Sequence, residues 1–210
     1  MSLMTSPLPP NADAGGPFVI LLGAPGSGKS TFARRHFARD QIISSDQMRR
    51  RVSGDPHNQA ATPYAMRVLD ALVDGRLAFQ QPTVVDATNA DPQLRRELLE
   101  RGWAAGCPPI AVVMDTPLEV CLDRNARRRS RHRPPDDFVR ETHAQILAEF
   151  PVETTWIPTG FQFGVWVVHE AGARVGGYVH PAYRDASWLA DARKPGAVNS
   201  AAMFRAAGTR

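Results

Sequence analysis

Five short apolar runs punctuate this chain, separated by longer stretches in which apolar residues recur at helical spacing. Phe18-Val19-Ile20-Leu21-Leu22 is continuous and ends in glycine, the pattern of a strand buried on both faces. Gln41-Ile42-Ile43, Pro82 to Asp86, Ile110 to Asp115 and Phe161 to Val168 repeat it more briefly. Between them the sequence predicts helices over Lys29 to Ala38 and over Tyr64 to about Phe79, where Leu69, Leu72, Val73 and Leu77 share a face. A further helix opens at Asp91-Pro92, an N-cap acceptor followed by proline at the first helical position, and Gly102 closes it. Thr116-Pro117-Leu118-Glu119 has capping-box spacing and starts a helix that runs into an arginine-rich stretch. Pro134-Pro135 interrupts that stretch, and helix resumes from Asp136 to Phe150.

Strand alternating with helix implies a parallel sheet covered on both faces, with ligands beyond the strand C-termini. Gly23, Asp46, Asp86 and Asp115 all fall at that end. Residues 1–17 carry Pro, Ser, Asn and Gly without apolar periodicity and read as a flexible leader. The catalytic unit is expected at 18–170, with a lid at about 124–150 and a partly loose extension at 171–210. The leader lacks a basic start followed by an apolar run, and no stretch approaches the roughly 18 apolar residues of a membrane span, so a cytoplasmic protein is expected. Cys107 and Cys121 form no C-x-x-C pair and read as free thiols.

Gly23-Ala24-Pro25-Gly26-Ser27-Gly28-Lys29-Ser30-Thr31 fits G-x4-G-K-[ST] between a strand and a helix, the context that gives this pattern its meaning. Glycines let backbone N–H groups close around the β and γ phosphates of ATP, Lys29 neutralises their oxygens, and the Ser30 hydroxyl ligates Mg²⁺. The fold class is therefore α/β, a P-loop NTPase-type parallel sheet flanked by helices, with an arginine-bearing helical lid. Asp86 at the end of its strand either helps orient Mg²⁺ through water or anchors the turn into Thr88-Asn89.

The net charge is +4, but it is unevenly placed: six of the ten residues from Arg124 to Arg133 are arginine. In a continuous helix Arg124, Arg128 and Arg131 would lie on one face, where a triphosphate would relieve their repulsion. The alternative is a solvated basic face or a nucleic-acid footprint. Arg127 and Arg129 point elsewhere and read as surface charges. Asp46 and Arg49 follow the second strand, across the crevice from the γ phosphate. A carboxylate there can take a proton from an attacking hydroxyl, and an arginine one turn later can fork onto an anion beside it. His36, His57 and His143 have no metal-ligand spacing and read as surface or lid-packing residues.

These segments resemble the kinase domain of bacterial polynucleotide 5'-hydroxyl kinase, the module joined to a phosphatase and a ligase-like domain in RNA end-repair proteins. The resemblance rests on GAPGSGKSTF (23 to 32), ISSDQMRR (43 to 50), NQAATPYAMRVLDALVDGRLAFQQPTVVDATN (58 to 89) and AVVMDTPLEVCLDRN (111 to 125), with DDFVRETH (136 to 143) weaker. It implies transfer of the ATP γ phosphate to the 5'-OH ends of RNA or DNA, with a separate phosphatase and ligase as partners. On that likeness Asp46 is the general base, Arg49 holds the phosphodiester next to the 5' end, and Lys29 and Ser30 serve ATP and Mg²⁺. Arg124 and Arg128 become lid arginines, Arg128 acting in catalysis. The last lid arginine falls on Arg131 counting forward from Arg124, and on Arg133 counting back from Asp136-Asp137. Two other readings stand beside this one. One is a P-loop kinase acting on a sugar, antibiotic or nucleotide-sugar hydroxyl, and the other is a non-catalytic ATP-binding regulatory module.

Overall fold

A computed structural model of the chain describes residues 16–107, 109–149, 165–169 and 172–174. The predicted first strand, β1 (Phe18–Leu22), is wholly buried. It leads through the phosphate loop into α1 (Lys29–His36). Then come β2 (Ile42–Ser44), α2 (Ser45–Ser53), α3 (Thr62–Ala78) and β3 (Thr83–Asp86). The remaining elements are α4 (Pro92–Ala104), β4 (Pro109–Asp115), α5 (Leu118–Ala126), α6 (Asp136–Glu149), β5 (Val165–His169) and β6 (Gly172–Arg174). The sheet order is β2-β3-β1-β4-β5-β6. All neighbours run parallel except β6, which pairs antiparallel with β5.

Strand alternation divides the core into two layers, because successive side chains point to opposite faces. Phe18, Ile20 and Leu22 join Val85, Ala111 and Val113 beneath Leu69, Val73 and Leu77 of α3 and Leu98 and Leu99 of α4. Val19 and Leu21 join Val84, Ile110 and Val112 against Phe32 and Ala33 of α1. β1 sits centrally, so the loop leaving its C-terminal end lies between the ends of β3 and β4. The backbone is already engaged before β1, since Gly16 N–H donates to Gln80 O (2.9 Å) and Thr83 N–H to Pro17 O (2.8 Å).

Beyond two-residue shifts at the end of α1 and the start of α3, three helix ends depart from the sequence expectation for reasons visible in the packing. Gly102 does not close α4, which runs on to Ala104 and ends in a Schellman motif. Gly106 (φ 69) takes the left-handed position, with Gly106 N–H bonded to Trp103 O (3.0 Å) and Cys107 N–H to Gly102 O (2.8 Å). Gly102 is a packing glycine instead, because a Cβ there would come within 2.7 Å of the Phe18 ring. The capping box at Thr116 does not form: Pro117 caps α5, and the Thr116 hydroxyl donates to Ser27 O of the phosphate loop (2.8 Å).

The third departure bears on the lid. α5 stops at Ala126, and the chain makes only a single 3-10 turn, Ser130–His132, before α6. Arg124, Arg128 and Arg131 therefore do not stack along one helix face. The cause is Asn125, fully buried, whose amide donates to Pro134 O (2.9 Å) and Asp136 Oδ1 (3.0 Å). Those bonds draw the linker back across the helix end, and Pro134-Pro135 removes the N–H groups a continuing helix would need. The fifth strand begins at Val165, and positions 161–164 of the expected run lie outside the described residues.

Candidate nucleotide and acceptor site

The phosphate loop is built by burial and by its own oxygens. Lys29 is only 9% exposed, and its Nζ donates to Gly23 O (2.7 Å), Ala24 O (2.9 Å) and Ser27 Oγ (3.5 Å). Burial pushes the Lys29 ammonium down to about 8, while the Asp86 carboxylate pulls the other way. Asp86 is itself raised by burial, opposed by a hydrogen bond with Ser30 and by the Lys29 charge. Gly26 (φ 88) and Gly28 (φ 95) hold left-handed backbone that a side chain would strain, and a Cβ on Gly26 would strike Cys121 O at 2.5 Å.

Besides the Thr116 bond to Ser27 O, three contacts brace the loop from outside. Thr88 O accepts from Gly23 N–H (3.3 Å), Asn89 Nδ2 donates to Leu21 O (2.7 Å), and Arg124 donates to Gly26 O (3.2 Å). Asn89 holds a positive φ of 49°, and its carbonyl and that of Ala90 accept from the buried Arg95 (2.6 Å each). Arg95 thus sets the β3–α4 turn, a role the sequence did not disclose because a lone arginine in a helix reads as surface charge. Both cysteines are buried and outside any disulfide, and burial drives the Cys107 thiol up to about 11, away from the nucleophilic thiolate.

A cleft of about 1330 Å³ opens above this loop. Its walls bring together Pro25 to Thr31 of the loop, Asp46 and Arg49 of α2, Asp86 at the end of β3, and Arg124, Arg128 and Arg133 of the lid region. Gly23 and Ala24 lie beneath, offering the carbonyls that hold Lys29. The side chain of Arg131 is outside the described residues, whereas Arg133 reaches the cleft and pairs with Asp136 (2.8 Å), holding that carboxyl below its ordinary range.

Asp46 lies in the first turn of α2 and pairs with Arg49, whose Nε also donates to Pro56 O (2.8 Å). The Asp46 side chain is 59% exposed to the cleft and Arg49 only 11%. Arg127, by contrast, pairs with Asp123 at 2.8 Å on the outer surface and is 77% exposed, as the sequence led us to expect. His36 and His57, read from the sequence as surface or packing residues, line the cleft together with His132, and the rings of His57 and His132 stack with centroids 3.7 Å apart. Their separation along the chain left no local signal for this contact. Among the described residues no cluster of three or more His, Cys, Asp or Glu side chains is placed to hold a metal, and no helix is long and apolar enough to cross a membrane.

The family model described as an AAA domain matches residues 18–152. The chain belongs to the AAA domain family. Its sheet order and phosphate loop are those of a P-loop kinase fold, and nucleotide binding is the property that fold carries. No curated protein matches the sequence. Among solved structures, this AAA domain is similar to a chain of the Pnkp1/Rnl/Hen1 RNA repair complex at 21% identity and a TM-score of 0.55, with 66% of this chain and 46% of that one covered. It spans less than half of that relative's length. It is also similar to a chain of the PezAT chromosomal toxin-antitoxin system of Streptococcus pneumoniae, at 15% identity and a TM-score of 0.57, covering 92% of this chain and 84% of that one. At these identities the likeness establishes the fold.

Proposed function

We propose that the protein is an ATP-dependent polynucleotide 5'-hydroxyl kinase, with residues 18–170 as its catalytic unit. The observation that carries this reading is the Asp46–Arg49 pair facing the same cleft as Lys29 and Arg128. A carboxylate suffices to activate any hydroxyl. An arginine paired with it and largely sheltered from water has a use when the acceptor carries an anion next to that hydroxyl, as a 5'-terminal nucleotide does.

In this mechanism ATP lies with its β and γ phosphates in the loop from Gly23 to Thr31. Arg49 transfers its bond from Asp46 to the first phosphodiester of the acceptor, which frees the carboxylate. Asp46 then accepts the proton of the terminal 5'-OH as that oxygen bonds to the γ phosphorus, and the bond from the γ phosphorus to the bridging oxygen breaks to release ADP. Lys29, Arg124 and Arg128 hold the charge that builds on the equatorial and leaving oxygens. The Ser30 hydroxyl beside the buried Asp86 carboxylate is a hard-oxygen pair that fits Mg²⁺, and the cation would offset the burial that raises Asp86. When bound, Mg²⁺ supplies charge neutralisation at the β and γ oxygens.

The deciding experiment supplies γ-labelled ATP and Mg²⁺ with 5'-OH RNA and DNA oligonucleotides, single-stranded and duplex. Label is expected at the 5' end of at least one of them; absence of label on all four overturns the reading.

A further inference from the structure

The His57–His132 stack joins two parts of the molecule that the mechanism needs to act together. His57 lies between α2 and α3, its backbone N–H donating to Asp55 Oδ1 (2.9 Å). The adjacent Pro56 carbonyl is the one that accepts from Arg49. His132 closes the single turn in the linker between α5 and α6, its backbone N–H donating to Arg129 O (2.7 Å), and the next residue, Arg133, is held by Asp136. The two ring planes are within 20° of parallel, and both residues line the cleft.

We propose that His57 and His132 are a positioning pair whose ring contact ties the arginine-bearing linker to the loop that holds Arg49, so that the lid cations and the acceptor arginine take up their places together. The coupling to Arg49 rests on the polynucleotide reading; the coupling of lid to loop does not. Stacking of two flat rings is favourable while they are neutral. Charge on both would set two cations face to face in a cleft lined by Lys29, Arg34, Arg35, Arg49, Arg124, Arg128 and Arg133 against the carboxylates of Asp46, Asp86 and Asp91, with Asp55 held on the His57 backbone N–H and Asp136 engaged by Arg133.

Two measurements test this without any acceptor. The linker carries its own protease reporter, because trypsin cuts after arginine and Arg127, Arg128 and Arg129 lie in or beside it. At pH 8, His57→Ala should speed trypsin cleavage between residues 127 and 132 by about fivefold, and His57→Phe, which keeps a flat ring but cannot charge, should leave it at the parent rate. In the folded full chain, the ring proton of His132 followed by NMR should titrate differently in the parent and in His57→Phe, because only the parent carries a second ionisable ring beside it. Equal cleavage rates in parent and His57→Ala, cleavage of His57→Phe as fast as His57→Ala, or superimposable His132 titrations would each overturn the proposal. If the alanine variant does not fold, the phenylalanine variant and the titration still decide it.

A third arm reads kcat/KM for a 5'-OH oligonucleotide against pH: the acid limb should flatten in His57→Phe, and an unchanged limb counts against the coupling. Failure of the parent protein to phosphorylate any oligonucleotide would overturn the kinase reading alone, since the first two arms contain no substrate.

Discussion

The two halves of the cleft are held in opposite ways. On the donor side the loop is a folded object: Lys29 is buried and saturated by three loop oxygens, and Thr88, Asn89, Thr116 and Arg124 brace the backbone around it. On the acceptor side Asp46 is mostly exposed and Arg49 joins it to a loop carbonyl, so side chains rather than packed backbone set the geometry. The donor half is preorganised by the core, whereas the acceptor half can re-pair when an anion arrives. Substitutions on the two sides should therefore fail differently.

The largest effect is expected at Lys29. Lys29→Met should lower phosphoryl transfer by about 10³-fold and abolish ATP binding, since the central phosphate cation is removed. It should also stabilise the protein. The folded lysine titrates at about 8 against 10.5 for the free side chain, so between these values the unfolded chain binds more protons and stability rises with pH. Below 8 the buried charge is a standing cost, and replacing it with an apolar side chain of similar length should gain about 1–3 kcal/mol, read as a rise in Tm at pH 7. The gain should shrink when the same melts are run near pH 10. A Tm that falls in the variant at pH 7 would show that the three loop hydrogen bonds outweigh the desolvation.

Next come the acceptor residues. Asp46→Asn should cut kcat by roughly 10²–10³-fold with the ATP Kd unchanged, measured by titration with a non-hydrolysable ATP analogue. Arg49→Ala should act mainly on KM for the oligonucleotide, lowering kcat/KM about 10- to 100-fold, with lysine restoring little because the forked geometry is lost. A loss of ATP affinity in either variant would break the division between the halves.

Asn125 lies between these regimes. Asn125→Ala removes the amide that returns the linker across the end of α5. It should cost about 1–3 kcal/mol, because the Pro134 carbonyl and Asp136 lose a buried partner. Transfer should fall by about tenfold through misplaced Arg128 and Arg133, as seen in steady-state rates and thermal melts of the same preparation. An unchanged kcat at lowered Tm would mean that the lid arginines do not depend on this turn.

What was legible in the sequence follows the same division. The phosphate loop is contiguous, and its glycines, lysine and hydroxyl must occur in one order, so residues 23 to 31 announce themselves. The apolar runs are legible because a strand buried on both faces has no freedom to be polar, and β1, β3 and β4 lie where the pattern puts them to within a residue. The course of the chain between α5 and α6 was not legible, although Arg124, Arg128 and Arg133 do line the cleft. A basic run with helical spacing continues as helix unless something stops it, and here the stop is a long-range bond from Asn125 to Pro134 and Asp136. Gly102 misled for a related reason: glycine near a helix end signals termination locally, but the Phe18 ring beside it demanded glycine for space. The His57–His132 contact is tertiary in the same sense, with no trace in local pattern, whereas Arg95 is seated by the turn just ahead of its own helix, which residue type alone does not reveal.

The smallest effect should come from Arg127, and its smallness is informative. Arg127 sits in the same basic run as Arg128 but turns outward, paired with Asp123 on the preceding turn. Such exposed pairs contribute between nothing and about 1 kcal/mol, so Arg127→Ala should leave Tm nearly unchanged. If the cluster works as a lid, transfer rates should also stay within about twofold of the parent while Arg128→Ala loses at least tenfold. If the run is instead a diffuse nucleic-acid footprint, the two substitutions should weaken oligonucleotide binding alike and each should reduce the salt dependence of binding by about one unit of slope. Binding isotherms at several salt concentrations, run beside the transfer assay for both variants, separate these outcomes, because a lid distinguishes inward from outward arginines and a charge field does not.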